Sequence, residues 1–161
     1  MSANRAMAVL AGLWAGILLA IGLIGAPAGF ATLAVSADAG RVAGRMFAQE
    51  AYLGLGVAIV LFLLERGRAR RAAEAGQGSA LNANMLLLLG ALFCTVAGYF
   101  ALQPMMAAAR AGQGPWSFGA LHGVSAAFFG LKALLVLTLA WRLARSARQP
   151  GLAGAIRRRT S

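Results

Sequence analysis

Cysteine, histidine and lysine each occur once in this 161-residue chain, as Cys94, His122 and Lys132. Acidic residues number four. One cysteine excludes an intrachain disulfide and any paired-cysteine metal motif. One histidine excludes an HExxH zinc helix and bis-histidine haem ligation within a single chain. No phosphate-binding glycine loop is present, and no nucleophile–base–acid set can be assembled. Against the four acids stand 15 basic residues, almost all arginine, for a net charge of +11. Such a balance can mark a nucleic-acid binder, but here the arginines flank apolar blocks. The partner expected from that placement is an anionic lipid surface, and nucleic acid is not expected.

The abundant material is apolar. Hydrophobic residues make up 60% of the chain and the mean hydropathy is +0.74. A soluble domain of this size cannot hide that much apolar surface. The apolar residues also fall into four long blocks, which predict helices over about 7–35, 41–65, 81–109 and 118–142. The expected fold is therefore all-α, an integral membrane bundle of four transmembrane helices. Residues 1–144 would form the membrane domain and 145–161 a basic tail, disordered beyond roughly Gln149.

Arg5 and the small residues Ala26–Ala28 resemble the ends of a signal peptide. The apolar run before that site exceeds the ~7–15 residues of a signal core, so an uncleaved span kinked at Pro27 is expected. Gly12/Gly16 and Gly25/Gly29 supply two small-xxx-small spacings. Ser36–Gly40 reads as a hairpin turn with Asp38 as an N-cap. Arg66–Ser79 reads as a mobile polar loop. Pro104 should kink or end the third span. The last block, Ser117–Arg142, is bracketed by Trp116 and Trp141, whose rings suit the membrane interface. Phe118, His122, Ser125, Phe129, Lys132 and Val136 share one arc of that helix. Gly119 and Gly123 lie on another, as a close-packing GxxxG face. Helix packing is thus expected at Gly12, Gly16, Gly25, Gly29, Gly119 and Gly123.

Counting arginines orients the chain. With four spans, one side holds both termini, the Arg66–Ser79 loop and 11 of the arginines, from Arg5 to Arg159. The other side holds Arg41, Arg45 and Arg110. The positive-inside rule then places both termini in the cytoplasm, in a multi-pass protein of the bacterial inner membrane.

Two groups of polar residues are site candidates. Near the non-cytoplasmic side fall Arg41, Arg45, Gln49, Glu50, Gln103, Arg110 and His122, together with Asp38. They either converge at one end of the bundle or simply mark the membrane boundary. The second group is the stripe His122, Ser125 and Lys132. Lys132 lies ~14 Å below the end of its helix at Arg142, too deep for easy snorkelling. Counting depths places Gly16, Gly56, Cys94 and Thr95 near it, with Glu50 more than ~10 Å higher. A charged lysine at a helix centre costs roughly 2.5–3.5 kcal/mol. A neutral amine, a water-filled cavity or glycine-freed carbonyls are the expected remedies, with hydration preferred; the alternative is a tolerated charge in an otherwise very apolar helix.

Four segments carry a resemblance: Gly25–Leu33 (GAPAGFATL), Ala39–Gly56 (AGRVAGRMFAQEAYLGLG), the stretch from Gln103-Pro104-Met105 to Arg110, and Phe118–Ser125 (FGALHGVS). Together they resemble the domain of unknown function 4149, a bacterial family of small membrane proteins similar to the eukaryotic transmembrane protein 205. The resemblance extends up to Arg142 and implies a four-helix membrane domain with no established activity. The leading expectation is a non-enzymatic protein, without cofactor or metal, acting through helix packing with itself or a membrane partner. The alternative is a small transporter with a polar path along the last helix. A third reading, a haem or copper carrier, uses His122 with Met105 or Met106.

Overall fold

The computed structural model describes residues 3–76, 79 and 81–148. Among these residues it contains four helices long and apolar enough to cross a membrane: α1 (Ala3–Thr32), α2 (Ser36–Glu74), α3 (Ala83–Arg110) and α4 (Phe118–Arg148). In α1, Met7, Ala11, Trp14, Ala15 and Leu18 are buried. Their spacing of three and four residues makes one continuous helix face. It packs into a core with Ala58 and Leu61 of α2, Leu88 and Ala91 of α3, and Val136, Leu139 and Leu143 of α4. The helices form a ring in which α4 lies between α1 and α3, and α2 closes the circle against both. The start of α1, the end of α2, the start of α3 and the end of α4 lie at one end, called here the terminal end. The α1–α2 and α3–α4 turns lie at the opposite end.

Neither proline ends its helix. A π-helical turn, Ala20–Gly25, precedes Pro27, and the Ala26 N–H bonds Ile21 O five residues back. A second π turn, Val96–Ala101, precedes Pro104 in α3. Proline lacks an N–H and clashes one turn back. A π turn just before it changes the hydrogen-bond register there, so the span continues.

Three expected boundaries are corrected. Ser36–Gly40 is not a turn: α2 begins at Ser36 after the extended residue Val35. Asp38 caps no N–H, but sits in the first turn, where negative charge is favoured, and pairs with Arg41. Residues Arg66–Glu74 are helix rather than loop. Arginine and alanine are strong helix formers, and their run carries the helix past the single Gly67 until Gly76. The last helix likewise continues past Arg142 to Arg148. The expected disordered tail beyond Gln149 lies outside the described residues.

Caps close the remaining ends. The Asn82 side chain accepts from Met85 N at 3.1 Å, and the Ser117 hydroxyl from Ala120 N at 3.2 Å. Helix α3 stops at Gly112, whose φ of +71° is the left-handed region that glycine tolerates. Gly112 N bonds Ala109 O at 3.1 Å and Gln113 N bonds Ala108 O at 2.9 Å, a Schellman closure.

The expected glycine packing is also redistributed. An added Cβ at Gly12, Gly16, Gly29, Gly119 or Gly123 would meet nothing within 4 Å, and at Gly25 it would meet Met46 Sδ at 3.2 Å. Gly25 is thus closely packed as expected, and the other close approaches occur outside the expected set. A Cβ on Gly98 would overlap the Phe128 side chain of α4, and one on Gly54 would lie 3.0 Å from Trp14 Nε1. The faces turned inward carry Trp14 and Leu18, whose larger apolar area fills the centre.

Candidate functional site

The chain's one lysine meets a carboxylate. Lys132 Nζ donates to Glu50 Oε2 at 2.6 Å, and Trp14 Nε1 donates to Glu50 Oε1 at 3.2 Å. The charged side chains are 4% and 1% exposed. This corrects the expectation that no carboxylate lies at the depth of Lys132. The reason is the true start of α2. Glu50 lies 14 residues after Ser36 and Lys132 lies 14 after Phe118. At ~1.5 Å per residue both are about 21 Å from the same end of the bundle, near the middle of a ~30 Å hydrocarbon layer. Gly54, one turn below Glu50, leaves room for the indole of Trp14 to reach the carboxylate. The Lys132 ammonium also stands 5.3 Å from the centre of the Phe129 ring, which packs edge-on against Phe47. Beside the pair, an open groove of about 190 Å³ between α1 and α2 is lined by Ile17, Ile21, Met46, Gln49, Glu50 and Leu53.

The other expected site residues do not join it. Ser125 donates to Gly98 O at 2.7 Å, so its hydroxyl bonds the neighbouring backbone of α3. His122 is exposed and stacks on Phe118 at 5.6 Å, and the Arg110 guanidinium lies 4.4 Å from the same ring. His122, Ser125 and Lys132 therefore have three separate sets of partners. Of the proposed end cluster, Arg110 and His122 meet around Phe118. Arg41 turns to Asp38, Arg45 and Gln49 are exposed, Gln103 is half-buried, and Glu50 belongs to the centre. Met106 is buried and Met105 exposed on α3.

A second polar node lies at the terminal end, where no site was expected. Glu65 is fully buried. Its Oε1 accepts from Arg68 Nη2 at 2.7 Å, Asn82 Nδ2 at 2.9 Å and Asn84 Nδ2 at 3.2 Å. Its Oε2 has no hydrogen-bond partner among the described residues. Asn84 Oδ1 in turn accepts from Arg142 Nε at 2.8 Å. One network thus ties α2, α3 and α4 together. Its signal in the sequence is faint: a carboxylate three residues before an arginine, and two asparagines just past a hairpin of unknown register. Between the nodes lies an apolar layer of Ala58, Leu61, Leu88, Ala91 and Leu139. Among the described residues no group of three His, Cys, Asp or Glu gathers to hold a metal ion.

Residues 9–114 match the family described as Domain of unknown function (DUF4149). Neither a curated protein nor a solved structure matches the chain. The chain belongs to that family, and its helical content and four apolar spans make it a multi-pass membrane protein.

Proposed function

We propose that this member of the DUF4149 family is a non-enzymatic protein of the bacterial inner membrane. Its termini are cytoplasmic, and it acts through helix packing with a second copy or a membrane partner. The observation that carries this reading is the internal pairing of Lys132 with Glu50. A permeation path needs polar groups left free for a solute or for water, whereas these charges compensate each other. The packed layer between the two polar nodes supports the same reading. The open small-residue faces at Gly12/Gly16 and Gly119/Gly123 offer the kind of surface on which membrane helices approach closely.

A second reading, a small transporter, draws support from the open groove that reaches Glu50. One experiment separates the two. Differently tagged copies are reconstituted at low density in liposomes, and co-capture is measured beside ion flux. The packing reading expects co-capture that Gly123→Leu weakens, with flux no greater than in empty liposomes. Flux above that background, lost in Lys132→Met, would replace it with the transporter reading.

A further inference from the structure

The terminal end holds two arginines in an unusual state. Arg68 and Arg142 are each tied by a single hydrogen bond to a buried network. Arg68 uses Nη2 on Glu65, and Arg142 uses Nε on Asn84. A guanidinium has five N–H donors in a rigid fork. Among the described residues, four donors on each therefore have no protein acceptor. The two side chains are also accessible, Arg68 about one-third exposed and Arg142 exposed. Their holders are not: Glu65 is 0% and Asn84 5% exposed. Two preset forks thus project from a rigid base.

Their depth and surroundings define what they meet. Glu65 lies 29 residues after Ser36 and Arg142 lies 24 after Phe118. At ~1.5 Å per residue they stand about 36–44 Å from the opposite end, past a ~30 Å hydrocarbon core and within the head-group layer. Trp141 is exposed beside Arg142, with the Arg145 guanidinium 4.6 Å from its ring centre. An exposed indole at this level suits a lipid interface rather than a nucleic-acid groove. The local charge is positive: Glu74 is paired with Arg70, while Arg66, Arg71 and Arg148 stand nearby.

We propose that Arg68 and Arg142 form a binding site for the phosphate head group of an anionic phospholipid, with Glu65, Asn82 and Asn84 as positioning residues. The free forks donate to phosphate oxygens, an acceptor geometry that arginine matches in pairs of bonds. Glu65 holds its arginine end-on through one oxygen, so the carboxylate fixes the fork without occupying it. Because the network joins three helices, a lipid bound there also braces the terminal end of the bundle. The inference rests on the chain spanning a membrane and not on how copies associate, so the two readings fail separately.

The test uses the full chain in neutral detergent with added phosphatidylglycerol, at about 0.5 M salt, where screening over roughly 4 Å suppresses diffuse attraction. Native mass spectrometry counts bound lipid and gives its affinity. The parent should hold one phosphatidylglycerol in preference to phosphatidylcholine. Arg68→Gln and Arg142→Gln should each weaken it about fivefold or more. Arg148→Gln should change it less than about twofold. Arg142→Lys keeps the charge but loses the Nε bond to Asn84, and it should also weaken binding. That variant decides the matter if the glutamine variants do not fold. Equal losses in Arg148→Gln and Arg142→Gln, or parent-like affinity in Arg142→Lys, would overturn the site. Displacement of the lipid by millimolar inorganic phosphate would assign it to free phosphate instead.

Discussion

At the scale of single residues, the buried Glu50–Lys132 pair reverses what removal of the lysine does. An isolated charge would be relieved by Lys132→Met. A paired one leaves Glu50 buried against Trp14 without its counter-charge. Breaking such a pair from one side costs about 3–5 kcal/mol, whereas replacing both partners with apolar residues is often neutral or stabilising. Lys132→Met should therefore lower the unfolding free energy in micelles by roughly that amount. Glu50→Met combined with Lys132→Met should recover most of it. A single variant as stable as the parent would show that the pair does not form. Asn82 carries a second, smaller effect. It caps Met85 N and donates to Glu65, so Asn82→Ala should cost about 1–2 kcal/mol in the same assay.

At the scale of helices, the decisive glycine is not the one the motif suggests. Gly119 and Gly123 have the GxxxG spacing, yet their Cβ positions are open. Gly98 lies in a π turn of α3 against Phe128 of α4, and its carbonyl accepts from Ser125. Gly98→Ala should push α3 and α4 apart and lower stability by about 1–3 kcal/mol. Gly123→Ala should stay within roughly 0.5 kcal/mol of the parent. Melting curves in detergent compare them directly. Equal melting of the two variants would place α4 differently from the packing described.

At the scale of the whole molecule, four spans require both termini and the α2–α3 connection to share a side. Reporter fusions after Gly76 and after Gly112 should report opposite compartments, the first cytoplasmic. Matching compartments would remove one span. The same arrangement explains the distribution of charge. The helices run on past the apolar layer at the terminal end, so the arginines within 66–71 of α2 and 142–148 of α4 stand on helix rather than on a loose loop.

The four helices and their side-by-side bundling were legible in the sequence, because blocks of ~20 apolar residues have one common solution in a bilayer. The partners of polar side chains were not. Lys132 meets Glu50 because α2 starts five residues before the expected Arg41, and a shift of five residues moves a side chain by ~7.5 Å along the axis and about 140° around it. Apolar periodicity carries no mark of that boundary, since Ser36–Gly40 reads equally well as a turn or a first helical turn. The Glu65 network depends on the register of α2 against α3 across a connection that no local pattern specifies. Helix formation is a local property of the chain, and the choice of which buried charge faces which is made by depth and rotation in the assembled bundle.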